Sequence, residues 1–384
     1  VPLDAGETAD LAAWLRLALT PGVGPVTARG LLEQFGLPNA IFDSAGGLLA
    51  QVAGERLASA LRARDPERER QVAAALDWAS REGNHLVTLG DADYPPLLLR
   101  TADAPALLYV VGQREVLTRA TVAIVGSRNP TAAGLANSKT FAAALSRAGW
   151  TVASGLALGV DGAAHAGALD GGAGTIAVVG TGADVIYPGR HRSLASRIAA
   201  DGAIVSELPL GTAPAPGTFP RRNRLIAGMS RGVLVVEAAP HSGSLITARH
   251  AAEAGREVFA IPGSIHSPLA RGCHALIRQG AALVESAADV LAELPAVEHP
   301  LDPCTRPMSA STHIYPETLT ERIELPDHDP ILAAVGHEPV LPDTLAEHLD
   351  LPAGELGARL VVLELAGRLA RLPDGRVVRT PPIG

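Results

Sequence analysis

The sequence predicts an α/β protein centred on a doubly wound parallel sheet, with a helical segment before it and a winged-helix pattern after it. Three observations lead there. Between Thr121 and about Leu294, short apolar runs alternate with stretches of helical period. The runs are continuous in Val, Ile and Ala rather than alternating, as strands buried on both faces require. Glycine-rich turns follow four of them, where an open parallel sheet places its ligands. At 384 residues and 47% apolar content, the chain is long enough for two or three domains with sizeable cores.

From the amino-terminal side, residues 7–104 read as helical, with "DLAAWLRLAL", "VTARGLLEQF" and "ERQVAAALDWASR" placing apolar residues three and four apart. "LTPGVGPVTARGLL" sets Gly22 and Gly24 between two helices. That is either a helix-hairpin-helix, whose glycines admit a phosphate to backbone amides, or a tight turn in a small bundle. "DADYPPLLLRTADAPALLYVVGQ" reads as a connector with one short apolar strand. The sheet domain, 105–294, follows with the strands "TVAIVG", "TVASG", "TIAVVG", "AIVSE", "GVLVVEA", "EVFAIP" and "AALV". Its helices include "AAGLANSKTFAAALSRAG", "AAHAGALD", "RSLASRIAAD" and "SLITARHAAEAG". Residues 295–327, rich in proline and polar side chains without a period, read as a linker. Residues 328–384 give three short helices and a hairpin turning at Asp374-Gly375, the winged-helix pattern.

Charge narrows the function. The formal net charge is −8, yet Thr121–Val290 holds 14 basic against 10 acidic residues, so an anion site belongs in the sheet domain. The winged-helix segment, with 5 basic and 8 acidic residues from His328 to Gly384, is disfavoured as a DNA reader, and a protein-contact role is as open to it. Lys139 is the only lysine, which leaves the cationic work to arginine, whose planar fork fits phosphate. Aromatic residues make up 3% of the chain, so broad base-stacking platforms are not expected and backbone contacts should dominate any nucleic-acid binding. Two cysteines exclude a disulfide framework and point to the cytoplasm, and no stretch reads as a signal peptide or a membrane span.

The turns "GSRNP" (126–130), "SGLALGVDGAAH" (154–165), "GTG" (180–182) and "HSGSLITA" (241–248) can each offer backbone amides to an anion. Beside them stands "FPRRNRLIAG", with Arg221, Arg222 and Arg224 around Asn223. No GxxxxGK[ST], GxGxxG or GxSxG occurs, which argues against a P-loop nucleotidase, a dinucleotide enzyme and a serine hydrolase. Cys273 and His274 are neighbours that point apart, and no histidines stand at metal-ligand spacing. Asp161 is either a helix N-cap or a general base with His165. Glu207 and Glu237, at strand ends, are the remaining candidate carboxylates, and equally the candidate ion-pair partners of Arg222 and Arg224. Asn223 either caps a helix, binds a ligand or does both.

Taken in order, "VAIVGSRNPT", "VASGLALGVDGAAHAGAL", "TIAVVGTGADVIYP", "SELPLGT", "FPRRNRLIAGMSRGVLVVEA", "SGSLITARHAAEAGREVFAIPG" and "GCHALIRQGA" closely resemble the DNA-processing protein A (DprA, or Smf) family over about Tyr94 to Leu294. The resemblance implies an extended Rossmann-like sheet domain flanked by a SAM-like or helix-hairpin-helix-like all-α domain and a winged helix. It implies binding of single-stranded DNA by a cytoplasmic homodimer, protection of incoming strands during natural transformation, and loading of the RecA recombinase onto strands covered by single-strand-binding protein. No enzymatic activity, cofactor or metal is implied. Carried over by motif, the strand-binding set is Gly126, Ser127, Arg128, Gly155, Arg190, Arg221, Arg222, Asn223, Arg224, Ser242, Gly243 and Ser244. Family members often place a lysine after the Tyr-Pro pair; here Gly189 stands there and Arg190 or Arg192 takes its place. Arg128, Arg222 and Arg224 are expected to hold phosphates together with the glycine-turn amides. Two alternatives remain: a nucleotide-processing enzyme of phosphoribohydrolase type, whose PGGxGT signature is absent, and a protein-interaction adaptor.

Overall fold

Strand-forming Val/Ile/Ala runs separated by glycine turns and helices produce one sheet of nine strands in the computed structural model. The structure describes residues 5–295, 330–335, 339–349, 351–365, 368–372 and 375–380. Among these, 5–129 and 138–295 form one compact unit, and 130–137 with the carboxy-terminal residues form a second. The strands are β1 (Asn84–Thr88), β2 (Leu107–Gly112), β3 (Thr121–Val125), β4 (Thr151–Ser154), β5 (Thr175–Val178), β6 (Ala203–Ser206), β7 (Gly232–Val235), β8 (Glu257–Ala260) and β9 (Ala282–Leu283). Their spatial order is β1-β2-β6-β5-β4-β3-β7-β8-β9. The seven strands β3–β9 are the expected parallel set, and the order reverses between β3 and β7, which opens a crevice at their carboxyl ends.

At the far edge the sheet departs from the all-parallel reading. β2 pairs antiparallel with β6, Tyr109 opposite Ser206, and β1 pairs antiparallel with β2. The sequence reading takes 84–88 into the helical segment, because a five-residue strand directly after a long helix shows no period of its own.

Six helices precede the sheet: α1 (Ala5–Leu19), α2 (Pro25–Phe35), α3 (Pro38–Asp43), α4 (Gly46–Ala53), α5 (Glu55–Arg62) and α6 (Pro66–Ala79). Proline opens α2, α3 and α6 at the position where no N–H is required, and Asp65 caps α6 by accepting from the amides of Glu67 and Arg68. Trp14, Leu15, Leu31, Ile41, Leu61 and Trp78 share one core with Leu86, Leu107 and Tyr109 of β1 and β2. The helices therefore cover part of the sheet rather than forming a separate core.

The remaining helices up to residue 295 are α7 (Pro96–Leu99), α8 (Ala132–Arg147), α9 (Val160–Gly171), α10 (Arg192–Asp201), α11 (Thr218–Met229), α12 (Ser244–Glu253), α13 (Arg271–Arg278) and α14 (Ala287–Glu293). Alternation along β3 sorts them: Val122 and Ile124 face α8, α9 and α14, whereas Ala123 and Val125 face α7, α11, α12 and α13. In the second unit, α15 (Pro330–Val335), α16 (Pro342–Leu349) and α17 (Ala353–Leu365) pack on the hairpin β10 (Leu369–Arg371) and β11 (Val377–Arg379) around Leu345, Leu356, Leu360 and Val377. Gly375 has φ 85°, as a glycine in the hairpin turn should. Asp374 and, apart from Pro295, the expected linker 295–327 lie outside the described residues.

Close approach of α8 and α9 depends on Gly167: a Cβ there would lie 2.2 Å from the Lys139 carbonyl oxygen. Gly167→Ala should lower stability by about 1–3 kcal/mol through forced separation of these helices. The urea midpoint should fall with the slope unchanged.

Candidate nucleic-acid interface

The crevice at the β3/β7 reversal is a cleft of about 790 Å³. Gly126, Ser127 and Arg128 after β3 form one side, and His241, Ser242, Gly243 and Ser244 at the start of α12 form another. Tyr187, Pro214–Pro216 and Phe219 close it, and Asp161, Arg222 and Asn223 lie in its floor. Eight of the twelve residues expected from the sequence thus meet here: Gly126, Ser127, Arg128, Arg222, Asn223, Ser242, Gly243 and Ser244.

The other four are elsewhere. The expected grouping of Arg222 and Arg224 on one anion fails because "FPRRNRLIAGM" is helical, and residues two apart on a helix project about 200° from each other. Arg224 points away from the cleft and donates to Glu207 and to the Asp103 carbonyl oxygen (2.6 Å). Arg221 lies 3.2 Å from the same Glu207 carboxylate. Glu207 is almost wholly buried beneath the two arginines, so of the readings open for it the ion-pair partner is the one observed. Arg190 is exposed on the turn Gly189–His191 and does not line the cleft. Gly155 lies beneath it: a Cβ there would sit 2.5 Å from the Arg222 guanidinium.

Arg222 organises the floor. It is 4% exposed, and its Nη1 donates to the carbonyl oxygens of Gly155 (2.7 Å) and Val178, joining the ends of β4 and β5. Burial pushes its pKa down to about 10, with Asp161 opposing the shift, so it remains charged at neutral pH. Its Nε is buried without an acceptor among the described residues. Asp161 is not an N-cap: Gly159 holds that position, and the carboxylate accepts from the amides of Gly155 (3.1 Å) and Ala157 (3.4 Å) in the preceding loop. Burial raises its pKa, and Arg222 counters that shift. Asn223 is not a cap either; from the middle of α11 its Nδ2 donates to the Gly243 carbonyl oxygen (3.1 Å), fastening α11 to the start of α12.

A buried histidine network holds the same loop. Leu156 has φ 56°, a left-handed conformation that costs a branched side chain about 1–3 kcal/mol. Its N–H donates to His165 Nε2 (3.3 Å) and its carbonyl oxygen accepts from His191 Nδ1 (3.0 Å). His165 Nδ1 is 2.7 Å from Thr175 Oγ1, whose hydroxyl donates to the Val152 carbonyl oxygen, so Nδ1 carries the proton and Nε2 accepts. A neutral imidazole is what this arrangement requires, and burial drives its pKa to about 3.

Sequence reasoning missed the cleft's aromatic wall. Tyr187 and Phe219 have ring centroids 5.8 Å apart, and the guanidinium carbon of Arg128 stands 5.2 Å from the Phe219 centroid. Arg128 is exposed and has no carboxylate partner among the described residues. Gly180 makes room for the ring, since a Cβ there would meet Phe219 Cδ1 at 2.9 Å. The wall, an arginine without a carboxylate partner and the α12 amino terminus together offer an apolar face beside a positive site. Elsewhere, Cys273 is buried with its thiol pushed up to about 11, and His274 turns away to Gly263. Among the described residues no group of His, Cys, Asp and Glu is placed to hold a metal ion, and no helix is long and apolar enough to cross a membrane.

The DNA recombination-mediator protein A family model matches residues 85–295, and the DprA winged helix domain model matches 316–375. The chain is 42% identical over 310 residues to Protein Smf of Escherichia coli, covering 80% of this chain and 81% of that one. The X-ray structure of DNA processing protein A from Streptococcus pneumoniae superposes with a TM-score of 0.64 at 39% identity, over 73% of this chain and 96% of the other. DNA processing protein A from Helicobacter pylori, a structure described for its single-stranded DNA binding mode, gives 0.50 at 31% identity over 54% and 94%.

The neutral His165 makes folding sensitive to acid. Below pH 6.5 the unfolded imidazole takes up a proton that the folded one refuses until about pH 3, so stability should fall through that window with a slope approaching one proton. Asp161 acts in the opposite sense: its raised folded pKa adds stability as pH falls through it. Denaturation followed across this range should show a flatter acid limb for His165→Asn and a steeper one for Asp161→Asn.

Proposed function

The chain belongs to the DNA-processing protein A family, and on that premise we propose that its cleft binds single-stranded DNA. The observation that carries this reading is Arg128 stacked on Phe219 beside Tyr187, at the mouth of a cleft faced by the α12 amino terminus. A phosphate takes the Arg128 guanidinium in the positive field of the α12 amino terminus, and an adjacent base lies on the aromatic wall. A single strand can turn a base outward to reach that wall. In a duplex the same base is stacked and paired inside, so the preference for single strands arises from shape and access rather than from sequence.

Arg222 acts as a fixed positive charge beneath the strand rather than as a mobile clamp, since its Nη1 already holds the ends of β4 and β5. Arg221 and Arg224 serve the fold through Glu207. The protein is a binding protein rather than a nucleotide-processing enzyme. What supports this is that Glu207 is consumed by ion pairs and Asp161 by loop amides. Acting as a homodimer, it protects incoming strands during natural transformation and passes them from single-strand-binding protein to RecA.

Fluorescence anisotropy of a labelled single strand and its duplex tests the reading. Arg128→Ala should weaken single-strand binding by about 1–3 kcal/mol and reduce the salt slope by roughly 0.7. Phe219→Ala should cost about 1–3 kcal/mol with the salt slope unchanged, because it removes stacking and no charge. Arg224→Ala should leave cleft binding intact and lower stability. Equal binding of duplex, or an Arg128→Ala variant with the parent affinity and slope, would overturn the assignment.

A further inference from the structure

On the other side of the α11–α12 pair lies a second cavity, of about 530 Å³. α11 turns Arg222 and Asn223 toward the cleft and Arg224 and Gly228 toward this cavity; α12 begins at the cleft with Ser244 and ends at the cavity with His250 and Glu253. Three arginines line it: Arg100, Arg224 and Arg256. Its two carboxylates are already engaged, Asp103 with Arg224 (3.5 Å) and Glu253 with His250 (3.4 Å). Arg100 and Arg256 have no carboxylate partner among the described residues.

Backbone contacts hold the turn that carries Arg100 and the side chain of Arg256. Arg29 of α2 donates to the carbonyl oxygens of Thr101 (2.8 Å) and Leu99, pinning the turn that carries Arg100. Arg256 donates through Nη2 to the Leu97 carbonyl oxygen (3.2 Å), while its Nε is sealed from solvent without an acceptor among the described residues. Burial and the neighbouring charges of Arg100 and Arg231 together disfavour the charged form of Arg256, a cost that an incoming anion removes. Two neighbouring arginine forks that lack a counterion, one of them fixed by a backbone contact, match phosphate oxygens.

We propose that the Arg100–Arg256 cavity is a second phosphate site, separate from the cleft. The phosphate is either a phosphodiester of a strand that continues past the α11–α12 pair or a free di- or polyphosphate.

The site is read in full-length protein carrying Arg128→Ala, so that the cleft's own anion contact is removed. Inorganic pyrophosphate is titrated calorimetrically into this protein and into versions that add Arg100→Ala or Arg256→Gln. Arg100 is exposed and its side chain makes no hydrogen bond among the described residues, so its replacement separates loss of the site from loss of structure. Each added change should weaken pyrophosphate binding about tenfold, the size of one good phosphate contact. A short and a long oligothymidylate then identify the source, using Arg100→Ala in the otherwise unaltered protein. About tenfold weaker binding of the long strand alone assigns the site to a continuing strand. Unchanged binding of both strands, with pyrophosphate binding lost, assigns it to a free phosphate compound. Pyrophosphate and long-strand binding both unaffected by Arg100→Ala and by Arg256→Gln overturns the proposal. Failure of the cleft reading shows separately, as short-strand binding that is insensitive to Arg128→Ala.

Discussion

The buried guanidinium of Arg222 is the contact on which the cleft depends. Three loops converge on it: the end of β4 through Gly155, the end of β5 through Val178, and the start of α9 through the field of Asp161. A lysine would be a poor replacement, because its ammonium is more strongly hydrated than a guanidinium and loses its charge more readily on burial. Gly155 has no side chain because the guanidinium occupies that space. The positive Arg222 and the neutral His165 lie under the same loop, so the floor combines a permanent charge with a residue that burial keeps uncharged.

That arrangement separates two tasks that the sequence places side by side. Of three arginines within four residues, one supports the floor and two neutralise Glu207 on another face of α11. The cation open to a ligand comes from a different loop, after β3. Exposed and stacked on a ring, Arg128 retains most of its hydration, so its attraction for phosphate depends strongly on ionic strength. The aromatic wall does not, and the two contributions complement each other.

Much of this was legible in the residues. Seven parallel strands followed from unbroken Val/Ile/Ala runs, and the ligand edge followed from glycine turns after them, because close passage of strand, helix and anion all favour small residues. β1 was not legible, since "NHLVT" is short and gains its identity only by pairing with β2. The fate of Arg224 was obscured by reading "FPRRNR" as a linear cluster. Leu225, Ile226 and Met229 with Arg222 form one buried helical stripe, and that period was the available signal. The aromatic wall had no signal at all: Tyr187 lies on a loop and Phe219 in the first turn of α11, and a low overall aromatic content says nothing about where the few rings gather.

The core shared by α1–α6 with β1 and β2 bears on how this architecture can be shortened. β2 is apolar on both sides: Leu108 and Val110 serve the central core, while Leu107 and Tyr109 serve the helices. Deleting the helices would bare the second set as a hydrophobic stripe at the margin of an open sheet, an invitation to intermolecular pairing. Any shortened form of this architecture therefore needs polar replacements at positions 107 and 109, so these two positions record whether a chain was built to carry its helical cover.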